Sequence, residues 1–377
     1  IWASNYRKNS ESESPISTDS TIRITNSGEI GTSDNPTGVG IFANASNPRY
    51  QGESNISPVI NNYGGSGTTS YIYANEAGIV TNGGKIYNGA DASHGVIGSS
   101  SNLPYYGIYH AENCSDDICG TNINYEKVSN LYINNGTTSS AIYGNEAAIY
   151  TTNMTSLQNS GTISGTNYGV YISQLKAGNP SIENSGTIVG KNAIYFEKPH
   201  DGEDSQSFSL NNTGTILSSH NGSAVEVHTS FDGSLPNVPV TIINGSTSNA
   251  NATIRSVSGS VLKILTGGNI TIENYGEITG NTSNNTIEAV SDNSTKNLNI
   301  YNYEEASITG KNPIYINSSG YASNKANVSI NNSGTITNTG TDTDDYAINI
   351  NNGNLADINN SGTINGNITM NANDGAT

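Results

Sequence analysis

The sequence predicts an all-β chain wound as a parallel β-helix of about twelve coils. Three observations predict it. One phrase, I-x-N-[S/T/Y]-G-x-I, keeps returning along 377 residues. Its asparagines, Asn159, Asn184, Asn212, Asn244, Asn274, Asn302, Asn332 and Asn360, are spaced 25 to 32 residues apart. Between them lies a second short phrase of alternating apolar and polar residues, and no stretch keeps an apolar pattern at helical period.

Each coil is read as three short strands. The first ends at the asparagine, as in Val328-Ser329-Ile330-Asn331-Asn332. The second is G-x-I, as in Gly186-Thr187-Ile188. The third is a small residue before an apolar run: Gly169-Val170-Tyr171-Ile172, Ala193-Ile194-Tyr195-Phe196, Ala224-Val225-Glu226-Val227, Pro313-Ile314-Tyr315-Ile316 and Ala347-Ile348-Asn349-Ile350. Period-two alternation places Ile on one face and Tyr on the other. A single such coil cannot bury its apolar face, and stacking does it. At the corner, Gly is expected for a positive φ, and stacked Asn side chains for bonding along the axis. Asn-Gly phrases also serve as hairpin turns, but a hairpin sandwich does not repeat a three-strand phrase at one period over two hundred residues.

Residues 157–370 read as regular coils. Residues 1–156 read as less regular coils of the same type, within one elongated domain. Asn26-Ser27-Gly28-Glu29-Ile30 opens the pattern, and Ile60–Ile79 is echoed by Ile133–Ile149. Loop insertions are expected at 46–57, 89–104, 112–125, 199–207 and 231–239, and function usually sits on such loops.

Charged residues are 12% of the chain and the net charge is −17, which argues against a nucleic-acid partner. No apolar run approaches the length of a transmembrane helix. Cys114 and Cys119 are the two cysteines. They read as a disulfide that shapes a small loop in an oxidising compartment, with a free-thiol pair as the alternative. The chain starts at Ile1, so removal of a leader or excision from a longer protein is expected, and the natural chain is expected to continue past Thr377.

The Asn-Ser-Gly-Thr-Ile corners followed by Ala-Ile-Tyr strands resemble the passenger domains of bacterial autotransporters. The likeness is to those of the Campylobacter and Helicobacter type related to the vacuolating cytotoxin, and it covers essentially the whole chain. The resemblance implies a right-handed β-helix, as the crossover rule also prefers. It further implies export, passage through a C-terminal outer-membrane barrel that is not in this chain, and display on the bacterial surface. The apolar glycine-zipper N-terminus of the pore-forming toxin is missing here. Glu53-Ser54-Asn55-Ile56-Ser57 and Asp357-Ile358-Asn359-Asn360-Ser361 match the acidic acceptor of bacterial N-glycosylation. Asn55, in a loop, is the glycosylation candidate, and Asn359 reads as structural.

No residue is expected to do covalent chemistry. There is no G-x-S-x-G, H-E-x-x-H, phosphate-binding loop or dinucleotide fingerprint. Asp232-Gly233-Ser234 reads as a turn. His94, His110, His200, His220 and His228 are scattered, and no metal or cofactor is expected. Two acidic groups, Asp201/Glu203/Asp204 and Asp342/Asp344/Asp345, each sit in one loop rather than recurring at the coil period that a polysaccharide-cleaving groove requires. Tyrosine is conspicuous, 22 residues against 4 Phe and 1 Trp. Tyr71, Tyr73, Tyr105, Tyr106, Tyr109 and Tyr143 are the candidate binding residues, with cross-coil stiffening as the competing role. The expected function is an adhesin. Its partners would be a host-cell surface protein, matrix or glycan, or further copies of itself. The alternatives are a polysaccharide-acting enzyme and a toxin-like oligomerising passenger.

Overall fold

The computed structural model describes residues 1–4, 22–44, 58–111, 113–114, 123–124, 130–173, 178–198, 206–229, 237–291, 296–317, 327–351 and 355–371. Among them there is no helix, and strands pair in parallel between successive coils, as in a parallel β-helix. The chain divides into two compact units, Ile1–Thr166 and Asn167–Thr377.

In both units every coil runs through three sheets in turn. The first sheet ends at the corner asparagine. Five described strands end this way in the first unit, from Arg23–Asn26 to Met154–Asn159, and seven in the second, from Ser181–Asn184 to Leu355–Asn360. The second sheet carries G-x-I and the third the A-I-Y-I run. Register is kept strand to strand. In the second unit Ile242 lies opposite Ile272, Ile272 opposite Ile300, and Ile300 opposite Ile330. The same holds for Ile216, Ile254, Ile278, Ile308 and Ile336 in the second sheet. These side chains are fully buried, and each buried Ile stabilises the fold by ~1.5–3 kcal/mol. In the first unit Ile60, Ile86 and Ile133 form the corresponding column.

The corner asparagines form a ladder. In the first unit Asn26, Asn62, Asn88 and Asn135 each donate from Nδ2 to Oδ1 of the next, ending on Asn159, all at 2.8 Å. In the second unit Asn184, Asn212, Asn244, Asn274, Asn302 and Asn332 do the same, ending on Asn360, at 2.7–2.9 Å. Asn88, at the corner Asn88-Gly89 with no residue between, is a ladder member outside the asparagines named from the sequence.

Two expectations are corrected. A positive φ is found at Gly89 (84°) and Gly245 (86°), which directly follow their asparagines, but not at the corner glycines set one residue further on. None of Gly161, Gly214, Gly276, Gly334 and Gly362 has one. Their Cβ would instead fall 2.1–2.3 Å from a backbone carbonyl oxygen of the preceding coil. At Gly28, in the first of these coils, a Cβ would meet nothing within 4 Å. The second correction concerns 89–104, which is no insertion. It holds the strand His94–Ile97, paired with Thr69–Ile72 and Ala141–Gly144. The extra length is a tight turn in which Ala90 and Ser93 bond each other's backbone. The other expected insertions fall largely outside the described residues.

The small residue before the third strand also has a reason. A Cβ at Gly40 would lie 2.3 Å from Cγ2 of Ile72, and one at Gly78 2.2 Å from Cγ2 of Ile97. The corner into the third sheet closes on the isoleucine of the second.

Candidate functional site

The candidate tyrosines fall into two groups on different sheets of the first unit. Tyr106 and Tyr109 lie in the third sheet, on strand Tyr106–His110. Ile108 points inward and is fully buried, so Tyr109 points out. Tyr109 lies opposite Val80 on one side and Tyr150 on the other. The rings of Tyr109 and Tyr150 stack at 5.2 Å and 11°. Tyr106 tilts against both, at 4.8 and 5.6 Å. Tyr106 and Tyr109 pack against a buried apolar cluster, Phe42, Ala77 and Val80.

Tyr105 stands apart. It precedes the strand, its ring meets Tyr106 edge-on at 4.8 Å, and it is 44% exposed. Its backbone is fixed from both sides. Tyr105 N donates to Asn75 O at 2.8 Å, and its carbonyl accepts from Glu146 N at 2.9 Å. A rigidly held, exposed phenol beside a half-buried aromatic base offers contact area at small entropic cost. Burial, then the neighbouring phenols and Glu146, push the Tyr106 phenol well above its ordinary value. Burial and Tyr150 push that of Tyr109 up to about 12.

Tyr71 and Tyr143 lie in the second sheet, on strands Thr69–Ile72 and Ala141–Gly144. Tyr71 and Tyr73 stack on each other at 5.4 Å and 6°. Burial, Tyr71 and Glu29 raise the Tyr73 phenol. Tyr143 is half-buried. The structure therefore joins Tyr105, Tyr106 and Tyr109, adds Tyr150 to them, and leaves Tyr71, Tyr73 and Tyr143 elsewhere.

Of the candidate acids that are described, Asp342 and Asp345 are held in structure. Lys311 Nζ lies 3.2 Å from Asp342 Oδ2 and 3.4 Å from Asp345 Oδ1. Asp345 is buried and its Oδ2 accepts from Asp342 N at 2.8 Å. This is a loop fastened by one lysine, while Asp344 is exposed. Among the described residues no three His, Cys, Asp or Glu are grouped to hold a metal. His220 and His228 are exposed, and His220 Nδ1 shares a hydrogen bond with Ser219 Oγ at 2.9 Å. Asn359 is exposed on its strand and donates to Asn331 Oδ1 at 3.3 Å. Asp201, Glu203, Asp204, His200, Asp232, Asn55 and Cys119 lie outside the described residues. The backbone of Cys114 belongs to a short antiparallel pair, Asn113–Cys114 against Ile123–Asn124.

Two aromatic groups in the second unit escaped the sequence reading. Tyr168, Tyr171 and Tyr195 cluster beside Glu197. Tyr275 and Tyr303 stack at 4.0 Å and 7°. The second pair was legible, since each tyrosine directly follows a ladder asparagine one coil apart. No protein-family model, no curated protein and no solved structure matches this chain.

Proposed function

We propose that the chain works by binding, as a surface-displayed β-helical passenger of the autotransporter kind. It would be exported through the outer membrane with its own C-terminal barrel, and would act as an adhesin towards a host-cell protein, matrix or glycan or by self-association. One observation carries the reading: exposed Tyr105, pinned by backbone bonds to two coils, on the aromatic base of Tyr106, Tyr109 and Tyr150. Stacked coils supply rigidity, so a phenol presented this way loses little freedom on contact. The repeated corner phrase supports the passenger reading.

The test is binding of the purified chain to cultured epithelial cells, with a matrix and glycan panel alongside. Saturable binding is expected, reduced about tenfold by Tyr105→Ala. Because Tyr105 is exposed, the same substitution is expected to move stability by less than ~0.5 kcal/mol. Binding that ignores the substitution, or no binding at all, removes the proposal.

A further inference from the structure

In the second unit, strands Tyr168–Ser173, Asn192–Glu197, Val225–His228 and Leu262–Thr266 are neighbours in the third sheet. Tyr171, Tyr195, Glu226 and Lys263 are successive register partners. The residues flanking them, such as Ile194, Phe196, Val225 and Val227, are buried inward, so this row faces out. Tyr168 and Glu197 stand beside it. The three tyrosine rings lie 4.8 to 5.5 Å apart, with Tyr171 and Tyr195 nearly perpendicular at 82°. Tyr171 Oη donates to Glu197 Oε1 at 2.5 Å, and Tyr195 Oη reaches Glu197 Oε2 at 3.4 Å.

We propose that Tyr168, Tyr171 and Tyr195, with Glu197 and Glu226, form a second binding site that takes the guanidinium or ammonium group of a basic protein segment. The charge count favours a cation. Glu197 and Glu226 bring two negative charges and Lys263 one positive charge, paired with Glu226 at 3.1 Å. The next residue in the row, opposite Lys263, is Glu288. A carboxylate has about four lone-pair positions, and two phenols engage only part of that capacity at Glu197. A planar guanidinium can donate to the rest while lying against phenol faces, whose quadrupole attracts cations. A neutral sugar would desolvate the carboxylate without returning charge. A bare divalent ion wants six or more oxygen ligands, and the described acids make no group of three. The whole chain, at −17, steers basic partners toward it.

The proposal rests on residues other than Tyr105, Tyr106 and Tyr109 and goes beyond the adhesin reading, so either can fail alone. The probe is a fluorescent nine-residue peptide bearing three arginines, compared with the same peptide carrying glutamine instead. Anisotropy with the full chain is expected to show saturable binding of the arginine peptide, about tenfold weaker for the glutamine peptide. Glu197→Gln and Tyr195→Phe, which keep the shape of the site, are each expected to weaken it several-fold. Asp344→Asn removes the same charge from the exposed distant loop and is expected to leave affinity unchanged. Equal loss in Asp344→Asn and Glu197→Gln overturns the site, because the attraction is then only general charge. Equal binding of both peptides, or no binding of the arginine peptide, overturns it as well.

Discussion

Asn274 uses all of its hydrogen-bonding capacity inside the fold. Its Oδ1 accepts from Asn244 Nδ2 at 2.9 Å and Gly276 N at 3.3 Å. Its Nδ2 donates to Asn302 Oδ1 at 2.8 Å and Ser307 O at 3.0 Å. The side chain is fully buried, so the partners have no water to turn to. Asn274→Ala is therefore expected to cost about 3 kcal/mol, read from the denaturant midpoint. Asn360 is exposed and accepts from Asn332 while donating to Gly362 O. Asn360→Ala is expected to cost about 1 kcal/mol. Equal costs would mean that the ladder is geometry without energy. The glycines give a parallel contrast. A Cβ at Gly276 would stand 2.2 Å from Ala252 O, whereas one at Gly28 is unobstructed. Gly276→Ala should destabilise by more than ~2 kcal/mol, and Gly28→Ala should stay within ~0.5 kcal/mol. The same two variants, in one melting experiment, separate a steric role from a conformational one.

At the scale of the element, the third strand does two jobs with one alternation. Its isoleucines fill the interior while its outward residues meet one another along and across the strands. Where register partners are both aromatic, as at Tyr109 and Tyr150, the rings are half-buried and the Tyr109 phenol resists ionisation. Tyr109 is held up to about 12 and Tyr106 higher still. The folded phenol binds its proton more tightly than the unfolded one, whose ordinary value is about 10. The stability this contributes is thus fully present below about pH 10 and is lost as pH rises through about 12. Absorbance of phenolate should show a retarded group of tyrosines that ionises only with unfolding. In Tyr109→Phe that group is expected to shrink. A single normal titration would show that the cluster is open to water. The strands and their isoleucine columns were legible because period two and the coil spacing are local patterns. The tyrosine partnerships were not. They depend on which residue of the next coil falls opposite, and variable lengths between strands, such as the Ala90–Ser93 turn, hide that register. The corner glycines were legible as glycines, but the neighbouring coil that forbids a Cβ is visible only in three dimensions.

For the whole molecule, charge and cohesion come from different places. The chain has 31 acidic against 14 basic residues. Among the described residues Lys263 pairs with Glu226, and Lys311 with Asp342 and Asp345, both lysines being partly exposed. Pairs of this kind contribute roughly 0–1 kcal/mol each. The cohesive elements are uncharged: isoleucine columns, asparagine ladders and the parallel backbone bonds between coils. Salt should therefore act mainly on the repulsion among the excess carboxylates, which opposes a compact chain. Raising ionic strength from about 10 mM to about 150 mM shortens the screening length from roughly 30 Å to roughly 8 Å. The thermal midpoint is expected to rise by a few degrees over that range, and to change little on further addition. Sodium chloride suits the test, since sulfate would strengthen apolar burial as well. A midpoint that falls with added chloride would instead assign the cohesion to ion pairs. The ladders and columns would then be secondary to charges that their register happens to align.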